Sequence, residues 1–365
     1  MGIFAEHRAF VSPLNIPFAR LSTLTDCTRQ VIAEQSASGQ LMKNKCLIID
    51  FILLLLFGGP DAVATAATAI NLGWSGIGSW TTLPYVVASE KGFFEKERLG
   101  VQLITFRGTN LMLTALLGGE LDYATILPFL TGAAARGLPV RILAAITKSS
   151  SYFMVARPEI NSVKDLRGKK VGINSFGSSA DYAAYAALSR SGVDPNKDLT
   201  ILAIGGGTSE RLAAVASGSV DATVLTSPAE YAAAKQGLRV IMSAQELGRL
   251  VRIPITGIGA TQKKMQSDPD EIVRLLRALR LATLYLLQNS EYSHALFQRA
   301  MHVDAAAADR LFTLYRDQYN PDLTLPDSVV EDLLAVGTFR LKERSPSRLS
   351  PQAVRDWSFA DKAKR

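Results

Sequence analysis

Thiol and imidazole chemistry has almost no material in this sequence. Two cysteines, Cys27 and Cys46, and three histidines, His7, His294 and His302, are all that 365 residues contain. No HExxH, HxxxH or CxxC spacing occurs, so a zinc-hydrolase or thiol-redox reading has no support. The GGGT run at Gly205–Thr208 lacks the lysine of a P-loop, and Gly73-x-x-x-x-Gly78 does not match the dinucleotide fingerprint GxGxxG. Clusters of Lys and Arg interleaved with aromatics are missing too. The formal charge of +7 is spread evenly, which argues against a nucleic-acid partner and leaves a mild bias toward anions.

What the sequence does have is a repeat. ALLGGELDYATI at Ala115–Ile126 and AVASGSVDATVL at Ala214–Leu225 say nearly the same thing 99 residues apart. At that offset Gly73, Gly78, Ser79, Gly108 and Thr109 fall on Gly172, Gly177, Ser178, Gly207 and Thr208, and Asp122 falls on Asp221. Each copy holds successive strand-then-helix units. A period this long fits a duplicated lobe, not a solenoid repeat.

The first 64 residues differ from the rest. Met42-Lys-Asn-Lys opens an apolar run from Cys46 to Phe57, and Ala62/Ala64 or Ala64/Ala66 then fit an A-x-A cleavage pattern. Twelve residues are too few to span a bilayer, so 42–66 is expected to be a signal peptide, the bland alternative being a buried helix or strand. Cys46 opens the run instead of following it, unlike a lipoprotein acylation cysteine. Residues 1–41 read either as a disordered extension or as residues ahead of a true start at Met42. Removing residues 1–64 takes away both cysteines and equal numbers of acidic and basic residues, so an exported form suits an oxidising compartment and keeps its +7 charge.

In the remaining chain, strands are expected at Ala69–Trp74, Val101–Phe106, Asp122–Leu127 and Val140–Ile146, then at Lys170–Asn174, Thr200–Ile204, Ala222–Leu225 and Arg239–Ser243. The helices between them near Thr81–Lys91, Asn110–Leu117 and Phe129–Ala135 are expected to close on left-handed Gly92, Gly118 and Gly137. This is an α/β fold with two mostly parallel sheets. SYFMVARP and VRIPITGIGA, at Ser151–Pro158 and Val251–Ala260, are expected to carry the two passages between lobes, giving a first lobe of 67–153 plus 255–365 and a second of 154–254. The C-terminal helices, with the stripe Ile272, Leu275, Leu276 and Leu279, are expected to pack on the first lobe.

A ligand in such a fold lies beyond the carboxyl ends of the strands. Six loops there lead into helix N-termini, which favour an anion or a polarised carbonyl. The candidate contacts are Ser75, Ser79, Trp80, Thr81, Arg107, Thr109, Pro128 and Phe129 in one lobe, and Asn174, Phe176, Ser178, Ser179, Thr208 and Ser227 in the other. Each has a plain structural alternative: Ser and Thr cap their own helices, Arg107 is a solvated loop residue, and the rings belong to the core. Asp122 and Asp221 start strands at the far end and read as turn or capping residues. Among the loop residues only Asp181 could act as an acid or base, and no catalytic set is expected.

LPYVVASEKGFFEKERLGVQLITFRGT, with its Lys91-Gly-Phe-Phe94, then Gly119-Glu-Leu-Asp122, and then Ile160-x-Ser-Val-Lys-Asp-Leu-Arg-Gly-Lys-Lys-Val-Gly172, together resemble the solute-binding proteins of ABC transporters in the nitrate, taurine and alkanesulfonate group, relatives of the thiamine-pyrimidine proteins. The resemblance covers Ala69 to about Asn289 and is weaker in the C-terminal helices. It implies a type II periplasmic binding protein fold, two α/β lobes on a two-strand hinge that close on a small ligand and present it to a permease. It also implies contacts from Ser75–Thr81 and Asn174–Ser179. The pyrimidine-forming members use a cysteine-rich, histidine-containing iron site, and the chain after residue 64 has no cysteine. The expectation is therefore a periplasmic, monomeric, non-enzymatic binding component of an ABC importer, working with its permease and ATPase. It should need no cofactor or metal and should take a sulfonate- or carboxylate-like anion. The rivals are a small-heterocycle binder or enzyme on the same fold, and a sensing module, for which no output segment is visible.

Overall fold

A computed structural model of the chain describes residues 68–106, 108–149, 152–250, 253–339 and 349–365. The expected signal peptide and extension lie outside the described residues, as does Arg107. All that follows concerns the compact unit Ala66–Arg365.

The chain runs β1 (Thr68–Trp74), α1 (Leu83–Glu90), α2 (Phe93–Lys96), β2 (Leu99–Thr105), α3 (Thr109–Gly118), β3 (Tyr123–Ile126), α4 (Leu127–Ala135) and β4 (Val140–Ala145). It continues through β5 (Tyr152–Ala156), β6 (Lys170–Ile173), α5 (Ser179–Arg190), β7 (Thr200–Ala203), α6 (Thr208–Ala216), β8 (Ala222–Thr226), α7 (Ala229–Lys235), β9 (Arg239–Met242) and α8 (Ala244–Leu250). After β10 (Thr256–Thr261) it is helical: α9 (Gln262–Ser267), α10 (Pro269–Gln288), α11 (Ser290–Met301), α12 (Ala305–Tyr315), α13 (Asp327–Thr338) and α14 (Ser358–Ala363).

Two sheets result, in the orders β2-β1-β3-β10-β4 and β7-β6-β8-β5-β9. These are one order written twice. In each sheet one antiparallel strand is inserted between the third and fourth strands of a parallel-type lobe, and each inserted strand comes from the chain that has just left the other lobe. Both begin at the carboxyl end of their neighbour, Tyr152 opposite Thr226 and Thr256 opposite Ile126. Strand β5 belongs to the second sheet from Tyr152 on, so the expected 153/154 boundary falls within it.

The repeat reaches individual hydrogen bonds. The Asp122 carboxylate accepts from the Asn71 amide at 2.8 Å, and the Asp221 carboxylate accepts from the Lys170 amide at 2.8 Å. In return the Asp122 and Asp221 amides donate to the Asn71 and Lys170 carbonyls. Each aspartate thus extends the parallel ladder one step past the end of its strand, satisfying a donor that would otherwise lack an acceptor. Gly73 and Gly172 match as well. A Cβ at Gly73 would meet Leu121 at 2.5 Å, and one at Gly172 would meet Ile204 at 3.0 Å and Val220 at 3.2 Å. Small residues there let the helix-to-strand turn close over the sheet. One cap differs from expectation: Gly118 ends α3 inside the helix, and Gly119 takes the left-handed conformation (φ 82°). The turn then needs its freedom one residue later.

The stripe Ile272, Leu275, Leu276 and Leu279 on α10 is fully buried and shares a core with Leu83, Tyr85 and Val87 of α1 in the first lobe. Helix α13 packs on α4, but the chain just beyond it reaches further. Phe339 lies against Tyr182 (5.3 Å between ring centres) and Tyr185 (5.2 Å), both on α5 of the second lobe. The C-terminal region therefore contacts both lobes.

Candidate functional site

The cleft is defined by where the carboxyl ends of the two sheets come together. Thr109, at the start of α3, has its Oγ1 3.5 Å from Ser175 Oγ, in the loop before α5. This contact joins the strand ends of one lobe to those of the other. Of the large apolar side chains exposed among the described residues, Ile77 and Phe176 stand on equivalent loops of the two lobes, 56% and 51% exposed, and Leu111 (63%) is in the first turn of α3. The rim of the cleft is thus apolar on both sides.

The candidate residues divide by what they touch. Ser75 is exposed, and Ser79 and Ser179 are half-buried. Ser79 Oγ lies 2.9 Å from Thr81 Oγ1, so both hydroxyls are engaged in opening the first-lobe helix, and Thr81 is buried. Trp80, expected to wall the ligand, is in the core with no exposed surface. It stacks on Tyr315 at 4.7 Å, meets Tyr319 edge-on, and its carbonyl accepts from Tyr319 Oη. Pro128 is buried, and Phe129 is half-buried against the core. In the second lobe Asn174 Nδ2 donates to the Gly206 carbonyl at 2.9 Å, tying the first two loops together. Ser178 caps α5, accepting from the Asp181 amide, and the Asp181 carboxylate accepts from Gly177 N at 2.8 Å. The candidate acid or base is a buried capping residue. Thr208 is half-buried at the start of α6.

Three polar side chains that the sequence did not single out lie at these strand ends. Tyr152 Oη is 2.6 Å from Ser179 Oγ. Arg211, on α6, is 6% exposed, and its Nε and Nη1 have no hydrogen-bond partner. Glu230, on α7, accepts from Ser227 Oγ at 2.8 Å through Oε1, while its buried Oε2 has no partner. Burial pushes the Tyr152 phenol up, opposed by Ser179 and Arg211, and burial pulls Arg211 down, opposed by Tyr152 and Glu210. Burial also raises Glu230. A carboxyl whose folded pKa lies above its unfolded value loses stability as pH rises and it ionises. Glu230→Gln is therefore expected to raise the melting temperature at pH 7 and to leave it unchanged below the normal carboxyl range of about pH 4. Thermal melts across that range check this.

Open hollows of about 520 Å³ beside Tyr285 and Tyr292 and about 370 Å³ beside Arg141 and Gln262 lie away from the strand ends. Among the described residues no group of His, Cys, Asp and Glu side chains could hold a metal ion, and no helix is long and apolar enough to cross a membrane.

A family model described as NMT1/THI5 like matches residues 80–293, more than half of the chain. The chain belongs to that family. YtlA of Bacillus subtilis, designated a binding protein, is 25% identical over 264 residues, covering 69% of this chain and 78% of YtlA. The alkanesulfonate-binding protein SsuA of Xanthomonas axonopodis pv. citri, solved bound to MOPS, superposes with a TM-score of 0.65 at 19% identity over 81% of this chain and 100% of its own. The desulfurization enzyme DSZB superposes at 0.58 and 15% identity, over 81% and 99%. At such identities the likeness establishes the fold, which is the periplasmic binding protein fold of two α/β lobes.

Proposed function

We propose that this protein is the extracytoplasmic solute-binding component of an ABC importer, without catalytic activity, and that its ligand is a small organic anion such as a sulfonate or carboxylate. The observation that carries this reading is the duplicated set of strand ends meeting at Thr109 and Ser175. Two equivalent surfaces then face a single cleft, so a ligand touching both stabilises the closed arrangement over the open one. Anionic character is supported by the helix starts, by the positive chain and by the binding of MOPS, a sulfonate, to SsuA. Ile77, Leu111 and Phe176 suit an apolar tail.

Monomeric delivery to a permease and its ATPase, and export after cleavage following Ala64 or Ala66, belong to the same reading. N-terminal sequencing of protein recovered from the periplasm is expected to begin at Thr65 or Ala67, and a mature form beginning before Met42 would contradict export. Calorimetry with MOPS, taurine, nitrate and a neutral pyrimidine tests the ligand class: anions should bind and the pyrimidine should not. Binding of the pyrimidine alone would replace the anion by a heterocycle.

A further inference from the structure

We infer that Arg211 is the residue that receives the anionic group of the ligand, from beneath the second-lobe side of the cleft; this rests on the solute-binding reading above and gives it a specific cation. The argument starts from position. Leu212, the next residue on α6, packs with Phe153, Val155 and Leu225 on one face of the second sheet. Tyr152 alternates to the opposite face of β5 and shares its core with Met154 and with Ala180, Ala183 and Ala184 of α5. Yet Arg211 and Tyr152 interact electrostatically. Arg211 stands in the first turn of α6, which follows the carboxyl end of β7, and Tyr152 pairs with Thr226, the last residue of β8, so both belong to the carboxyl-end layer of the second sheet. Arg211 is therefore buried on the layer of the second lobe from which the loops at Asn174–Ser179, Gly205–Thr208 and Thr226–Pro228 emerge.

Its surroundings compensate it only in part, since Tyr152 and Glu210 oppose the effect of burial without bonding Nε or Nη1. The adjacent acid, Glu210, accepts from the Gly207 amide at 2.8 Å, holding the start of α6, and Tyr152 Oη is engaged with Ser179 Oγ. A guanidinium this buried, with Nε and Nη1 unpartnered, is costly unless something supplies an anion. Nε and Nη1 are adjacent donors of a planar fork, which suits two oxygens of one sulfonate or carboxylate. The Ser178–Ser179 start of α5, linked through Tyr152, offers further donors alongside. Arg107, the cation expected from the sequence, is not needed for this arrangement.

Arg211→Met and Arg211→Lys in the full chain test the inference with melting temperature and calorimetric affinity, using MOPS, taurine and nitrate as anions and a neutral pyrimidine as control. The unliganded Arg211→Met protein should melt no lower than the wild type, because a buried unpaired charge has been removed. Its affinity for the anion that the wild type binds should fall at least about tenfold, with Arg211→Lys in between. Two results would overturn the inference and leave the carrier reading standing: anion affinity within about twofold of wild type, or a lower melting temperature of both unliganded variants, which marks a structural cation. Wild-type binding of the pyrimidine alone removes the inference and the anion reading together. Binding of no probe by the wild type counts against both the inference and the solute-binding reading.

Discussion

Thr109→Cys combined with Ser175→Cys, in a background where Cys27→Ser and Cys46→Ser leave no other thiol, is expected to form a disulfide that locks the lobes together and stops solute exchange. The two native oxygens stand 3.5 Å apart, and the longer Cβ–S bonds with a modest χ1 rotation bring the sulfurs toward the S–S distance of about 2.05 Å. The bridge closes a loop that contains the first interlobe passage, between β4 and β5. Chain-entropy arguments give a stabilisation of about 4 kcal/mol for a sequence separation of 66 residues. Free thiols by Ellman titration, melting temperature and ligand exchange before and after reduction read the outcome. Recovery of exchange on reduction separates locking from misfolding. If the oxidised protein exchanges ligand as freely as the reduced one, the cleft is not where the ligand enters.

Gly257→Ala should be among the most destabilising single substitutions in the molecule. A Cβ there would stand 2.1 Å from the Ala144 carbonyl oxygen and 2.7 Å from Leu127, with backbone on one side and a buried leucine on the other. Strand β10 is the inserted strand of the first sheet, flanked by β3 and β4, so it has little room to shift. The Gly257 carbonyl also accepts from the buried Tyr85 Oη at 2.8 Å, which pins it to α1. Overpacking of this kind costs about 3 kcal/mol or more. Urea unfolding of the variant gives the value, and a loss below about 1 kcal/mol would mean that β10 moves more easily than its packing implies.

Much of this architecture was legible because the chain is written twice. The offset of 99 residues paired Asp122 with Asp221 and Gly73 with Gly172, and the ladder bonds and close approaches at those positions are the reason the residues recur. Strand positions were readable to within two residues from alternation and from the glycines between elements. What local pattern could not reveal was partnership over long separations. Trp80 is covered by Tyr315 and Tyr319, more than 230 residues later, so no reading of its own loop could move it from the cleft to the core. Arg211 was passed over because it lies inside a helix turn and not in a loop. Phe339 likewise falls in a segment assigned to the first lobe, yet it is held between two tyrosines of the second.

The central claim is that one solute bridges two lobes and holds them closed, and small-angle scattering on a sample whose binding has been confirmed by calorimetry tests it most directly. With MOPS or taurine at 100 times its dissociation constant, the unfolding free energy should rise by about 2.7 kcal/mol and the radius of gyration should fall relative to the ligand-free protein. Saturated binding with an unchanged radius of gyration would contradict closure and make this a rigid binding module.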